Sequence, residues 1–251
     1  MVDAIRANHP RLGTRKLHFL LQPLLSQEGI HLGRDALFKL LAVHGLLVRK
    51  RFKSGPKTTD ARLWALQYPD LVNRTELPSS AHLWVSDITY LHTQSGFVYL
   101  SLITEVNSRK IIGYKVSDSM ETRRLCLPAL VMALEQTQYV RAEQVIHHSD
   151  RGRQYLDAEY TGLLKDFKIR ISMTQTGDPR DNAIAERVNG ILKHEYLIKP
   201  LRSLQHACDQ VAKAVKLYNT KRPHQSLGNK TPEQVFENRS RVSKFEMRKI
   251  T

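Results

Sequence analysis

Residues 82–118 read HLWVSDITYLHTQSGFVYLSLITEVNSRKIIGYKVSD, and their texture decides the fold. Three runs rich in β-branched and aromatic residues, HLWVSDITY (82–90), GFVYLSLITEV (96–106) and KIIGYKVSD (110–118), are separated by short turn-like pieces. They predict three strands joined by antiparallel hairpins. Beyond them, Leu125, Leu127, Leu130, Val131 and Leu134 mark a helix over 121–137, and QVIHHSD (144–150) reads as a fourth strand. A helix near 157–166, a fifth strand KIRISMT (168–174), and helices over 181–197 and 203–219 complete the order. A β-β-β-α-β-α-β-α series predicts an α/β fold: a mixed five-stranded sheet flanked by helices, as in ribonuclease H-like folds.

Upstream of the sheet the pattern is helical. Leu17, Leu20, Leu21 and Leu24 follow helical spacing after HPRLG (9–13), and Leu37, Leu40 and Leu41 share one face of a helix from Arg34 to His44 that stops at Gly45. Two short helices with a tight connection suit a helix-turn-helix. The segment RKRFKSGPK (49–57) follows, in which Arg49, Lys50, Arg51 and Lys53 are candidates for DNA-backbone contact, or else a solvated linker. The expected organisation is a helical unit over 1–56, a Pro- and Ser-punctuated linker over 57–80, a catalytic-size core over 81–240 and a basic tail over 241–251.

Composition narrows the function classes. The 39 Lys and Arg against 24 Asp and Glu leave a net charge of +15, which attracts polyanions such as nucleic acid. The only cysteines, Cys126 and Cys208, form no CxxC pair, so neither a thiolate zinc site nor a disulfide framework is expected. No apolar run approaches the roughly 20 residues of a membrane helix, and the N-terminus has no signal-like apolar centre, so a cytoplasmic, nucleoid-associated protein without membrane partners is expected. No GxSxG elbow or P-loop is present. His147, His148, Ser149 and Asp150 are contiguous on a strand, so their side chains alternate and form no serine triad among themselves.

Three acidic residues stand at element ends: Asp87 in the first strand, Asp150 closing the fourth, and Glu186 on the helix DNAIAERVNGILKHE (181–195). Sixty-two residues lie between the first two and 35 between the second two. Such a trio suits phosphoryl transfer, with two hard cations such as Mg²⁺ or Mn²⁺ held by carboxylate oxygens on either side of a displaced phosphate. Crowded carboxylates without metal are costly, so an empty site is expected to be protonated or poorly ordered. Asn182, Glu186, Asn189 and Lys193 fall at offsets of four, three and four and share a helix side, opposite Ile184, Val188, Ile191 and Leu192. Lys193 and Asn182 are therefore candidate DNA contacts beside Glu186. In YNTKRPHQSL (218–227), Arg222 and His224 are further candidates for backbone contact, against the plainer reading of a helix end and polar turn.

Taken in order, these motifs resemble the second-frame product of insertion-sequence family-three transposases, whose catalytic core is akin to retroviral integrases. WVSDITY (84–90), HSDRGRQY (148–155) and DNAIAE (181–186) with Lys193 resemble the three acidic motifs, while YNTKRPHQSL with TPEQ (231–234), and HPRLGTRKL (9–17), resemble the terminal signatures. The resemblance covers nearly the whole chain. It implies that Asp87, Asp150 and Glu186 are a metal-binding catalytic triad that nicks element ends and transfers the exposed 3′-hydroxyl directly. It also implies double-stranded DNA, as terminal inverted repeats and target, for substrate; a homo-oligomer, at least a dimer; and an upstream-frame product as partner or fusion. Arg187 stands where many relatives carry Ser, and Arg153 and Asp157 replace small residues; no ligand is lost. Two rival readings stay open at this point: a catalytically silent DNA-binding regulator derived from a transposase, and a nuclease acting on RNA–DNA hybrid.

Overall fold

The computed structural model describes residues 1–48, 67–72, 82–137, 144–175 and 182–238. The three opening runs form β1 (His82–Thr93), β2 (Gly96–Glu105) and β3 (Ile111–Ser117). β1 pairs antiparallel with β2, and β2 with β3. The first hairpin closes on Gly96 at φ +115, which L side chains rarely adopt, with the Thr93 hydroxyl donating to the Gly96 carbonyl at 2.8 Å. In the second, the Glu105 carboxylate accepts from the amides of Asn107 and Ser108 at 3.2 and 2.7 Å, tying the turn from inside.

Further on come α4 (Cys126–Gln136), β4 (Val145–Ser149), the short α5 (Arg153–Leu156), α6 (Ala158–Asp166), β5 (Arg170–Met173), α7 (Ala183–Ile191) and α8 (Leu204–Lys221). β4 runs parallel to β1 and β5 parallel to β4, so the sheet order is β3-β2-β1-β4-β5. Helix α4 lies within the expected 121–137 span but begins five residues into it, at Cys126, and α7 gives way to a π-helical turn, Leu192–Tyr196, instead of continuing as α-helix.

Strand periodicity explains the layers. Side chains alternate between faces, so Trp84 and Ile88 on β1, Val145 on β4, and Ile171 and Met173 on β5 face one way. There they pack with Ala129 and Ala133 of α4 and Tyr160 and Leu164 of α6. Leu83, Val85 and Ile146 face the other way, against Ala185 of α7. On that same side Leu100 and Leu102 of β2 meet Val188 of α7 and Val211, Val215 and Tyr218 of α8. Helices therefore cover both faces of the sheet, and α7 lies over β1 and β2, with Ala185 reaching Ile146 of β4.

Close approach of α4 to β3 depends on Gly113. A Cβ there would sit against the Ala129 carbonyl and 3.1 Å from the Ala133 Cβ. Backbone cannot swing aside, so Gly113→Ala is expected to cost roughly 3 kcal/mol, lowering Tm by about 6–12 °C. A melting temperature within a degree of the parent would show that this contact relaxes freely.

The N-terminal helices are α1 (Val2–Asn8), α2 (Thr14–Gln27) and α3 (Arg34–Val43); α1 lies outside the pattern read from sequence. Leu17, Leu21 and Leu25 of α2 pack on Leu37 and Leu41 of α3. Leu24 and Leu40, read as core-facing, are 37% and 48% exposed, because the buried stripe is narrower than their spacing allowed. The unit touches the core through His9, whose Nδ1 lies 3.0 Å from the Tyr196 hydroxyl. Of the expected linker, residues 67–72 pack on the core: Met173 N donates to the Pro69 carbonyl at 3.2 Å and Leu71 N to Ser172 Oγ at 2.9 Å. The basic tail over 241–251 lies outside the described residues.

Candidate active site

Register brings two of the three acids together. Val85 on β1 lies opposite His148 on β4, and two residues further along each parallel strand come Asp87 and Asp150. Period-two alternation sets both on the face covered by α7, in line with Val85 and with Ile146 and His148. Asp87 and Asp150 are each half-buried. The Asn189 amide, on α7, donates to Asp87 Oδ2 at 2.7 Å, leaving Oδ1 uncommitted by that bond. Gly152 N donates to Asp150 Oδ1 at 3.0 Å in the turn after β4.

Electrostatics at this point are unfavourable to charge. Burial, then the Asp150 carboxylate, and further the Glu186 carboxylate push the Asp87 acid up to about 7, against the opposing pull of the Asn189 amide. Burial raises Asp150 as well, partly countered by Gly152 N–H. Asp87 is therefore a poor anion near neutral pH. Glu186 is exposed on α7, one turn before Asn189, and its charge is felt at Asp87. Among the described residues no three His, Cys, Asp or Glu side chains gather closely enough to hold a metal ion. The structure pairs Asp87 with Asp150 and leaves Glu186 outside the pair.

The polar stripe on α7 has definite partners. Lys193 Nζ donates to Thr89 Oγ1 on β1 at 3.0 Å, and burial lowers its pKa while Asp87 raises it. Asn182 is buried and its amide donates to the Ser86 carbonyl at 2.8 Å, bracing the strand beside Asp87. The two histidines before Asp150 are internal struts. His148 Nδ1 lies 2.8 Å from Ser172 Oγ, and His147 Nε2 lies 2.7 Å from Ser86 Oγ and 2.9 Å from the Tyr160 hydroxyl. Burial pushes His147 down to about 3, so it is a neutral hydrogen-bonding ring.

Two expectations need correcting. Arg222 is only 2% exposed and grips Glu195 with Nε and Nη2 at 2.9 and 2.8 Å, so its guanidinium is committed to an internal carboxylate rather than free for DNA backbone. His224 is buried beside it, 3.2 Å from Arg222 Nη1, and burial with the surrounding cations takes it down to about 3. Arg49, Lys50, Arg51 and Lys53 lie outside the described residues. Sequence reading missed Asn189 as the partner of Asp87, although its place three residues after Glu186 on the polar stripe was the signal. It also missed Gly152, for which the turn-forming DRG after β4 gave only a weak one.

Comparison with known proteins fits this arrangement. The integrase core domain family matches residues 78–179, and a second integrase core domain description matches 167–232. The transposase for insertion sequence element IS629 of Shigella sonnei is 36% identical over 230 residues, spanning 90% of this chain and 73% of that protein. Transposase InsF for insertion sequence IS3A of Escherichia coli (strain K12) is 35% identical over 163 residues, spanning 62% of this chain and 54% of that protein. A chain of the simian T-cell lymphotropic virus intasome, solved with PP2A regulatory subunit B56 gamma, superposes with a TM-score of 0.52 at 15% identity, over 94% of this chain and 74% of that one; the likeness is of fold. The sheet with its helices is a ribonuclease H-like integrase core. The chain belongs to the insertion-sequence family-three transposases, in which it resembles the second-frame product.

Proposed function

We propose that this transposase nicks DNA at the ends of its element and transfers the exposed 3′-hydroxyl into DNA, with Asp87, Asp150 and Glu186 as the metal-holding acids. The observation that carries the reading is the pairing of Asp87 and Asp150 at one level of adjacent parallel strands, where burial and mutual repulsion make them poor anions on their own. Their donor set fits Mg²⁺ or Mn²⁺: all ligands are hard oxygens, and Mg²⁺ is commonly held by one or two carboxylates while keeping waters and substrate phosphate. Two such ions would supply charge neutralisation at the attacking and leaving oxygens of an in-line displacement.

The protein's own residues do the positioning. Asn189 and Gly152 each fix one carboxylate oxygen, orienting Asp87 and Asp150. Glu186 reaches the pair by a rotamer change of an exposed side chain on a fixed helix, completing the trio as substrate binds. Lys193, held at Thr89 on the same stripe, is positioned to take a DNA phosphate, and Asn182 keeps β1 in register beneath it. Joining two element ends calls for at least two copies of the chain on double-stranded DNA.

The test uses purified protein and duplex carrying an element end. With Mg²⁺ or Mn²⁺, a nicked strand with a 3′-hydroxyl and joined products are expected on a sequencing gel, and EDTA abolishes both. Tight binding with no product in either metal would assign the chain as a silent DNA-binding regulator instead. Preferential cutting of RNA–DNA hybrid would assign it as a nuclease.

A further inference from the structure

A cavity of about 460 Å³ opens on the flank of α7 away from Asp87, between the N-terminal helices, the β2–β3 turn and the end of α8. Four cationic side chains enter it from four elements: Lys16 from α2, Arg109 from the turn, Arg187 from α7, and Arg222 just past α8. No Asp or Glu among the described residues lines it. Glu195 neutralises Arg222, which leaves Lys16, Arg109 and Arg187 with no ion pair among the described residues. Tyr218 also lines the cavity; its buried hydroxyl has no hydrogen-bond partner among the described residues. Such a concentration of like charge around an orphaned donor is unfavourable unless an anion fills it.

Arg109 is held there deliberately by its neighbours. Ser108 is tied to Glu105 and Lys110 to Glu233 at 2.8 Å, and Arg109 sits between them at φ +64, left-handed for a residue that is not glycine. Burial first, then the charge of Arg222, lowers the pKa of Lys16, against the opposing pull of Glu195.

We infer that Lys16, Arg109 and Arg187, beside the Tyr218 hydroxyl, bind one phosphodiester of a DNA strand. Guanidinium forks and an ammonium match phosphate oxygens, and a tyrosine hydroxyl adds a neutral donor. Because α7 carries the acidic stripe on one flank and lines this cavity with the other, the bound phosphate lies about a helix diameter, 10–12 Å, from the carboxylates. It therefore anchors the strand near the cutting point and couples the N-terminal helices to the core. The inference rests on the DNA reading above for the identity of the anion, and on nothing in the catalytic step.

The test is equilibrium binding of a short fluorescent duplex of generic sequence, in EDTA, between about 50 and 200 mM salt. Lys16→Gln/Arg109→Gln should bind several-fold more weakly at low salt, with a log–log salt slope shallower by about one. Arg187→Gln, exposed and on a different element, gives an independent reading of the same slope. Both variants should melt at or above the parent, since like charges are relieved. Slopes equal to the parent's in both variants would overturn the site. Stabilisation of the parent but not of the variants by inorganic phosphate, with unchanged slopes, would make it a free-anion pocket and also overturn the assignment to DNA. Binding is read without metal, so missing nicking products would bear on the proposed reaction and leave this result standing.

Discussion

Asp87→Asn should be both inactive and more stable than the parent in EDTA at pH 8. The carboxyl of Asp87 is raised to about 7 in the folded chain, against 3.8 unfolded. Between those values the native state binds more protons than the unfolded one, so this group's contribution to stability falls as pH rises through the window and its full penalty is present above about 7. Asn carries no charge and can still accept from Asn189. Removing the penalty should add on the order of 2–4 kcal/mol and raise Tm by roughly 5–10 °C; below about pH 4 the gain should vanish, since the acid is neutral in both states. In the same variant, and in Asp150→Asn, nicking and joining should fall at least about 10³-fold, because several kcal/mol of metal-borne transition-state stabilisation is lost. Calorimetry in EDTA and a product gel in Mg²⁺ check the two halves. Retained strand transfer in Asp150→Asn would reject the catalytic assignment, and an unchanged Tm in Asp87→Asn would show that the acids do not repel as described.

Glu195→Gln should produce the largest loss of stability. Arg222 is almost fully buried and its two bonds to Glu195 join the π-turn after α7 to the segment after α8. With Glu195 neutral, the guanidinium is left among Lys16, Arg109 and Arg187 with no carboxylate to balance it. Breaking a buried pair from one side costs about 3–5 kcal/mol, a Tm drop of roughly 6–20 °C at this chain length. Replacing both partners, as in Glu195→Leu/Arg222→Met, should recover most of it, because buried ion pairs contribute little over apolar packing of similar volume. A single variant melting within about 2 °C of the parent would mean that water reaches the guanidinium.

These two sites show where sequence reading carries and where it stops. Asp87 and Asp150 were legible because strand alternation and parallel pairing of the first and fourth strands are both encoded by residue type over short windows. Glu186 was legible as a position on a helix face, but its exposure is set by how α7 packs on the sheet, which no local pattern encodes. Arg222 and His224 read as surface cations because sequence displays charge without its partner; the partner lies 27 positions earlier, in a π-turn that helical periodicity does not announce. Histidines 147 and 148 alternate across β4 as expected, yet only the fold supplies Ser86, Tyr160 and Ser172 as their partners.

The parallel pairing of β1 with β4 also sets when a growing chain acquires its chemistry. Asp87 gains its neighbour only after 62 intervening residues are laid down, and α7 arrives later still. No product terminated before about residue 190 contains the acidic trio, although it already carries the N-terminal helices and the hairpins of β1 to β3. Under the proposed assignment, a copy that stops before Glu186 lacks one of the three metal-holding acids while keeping the parts that precede it.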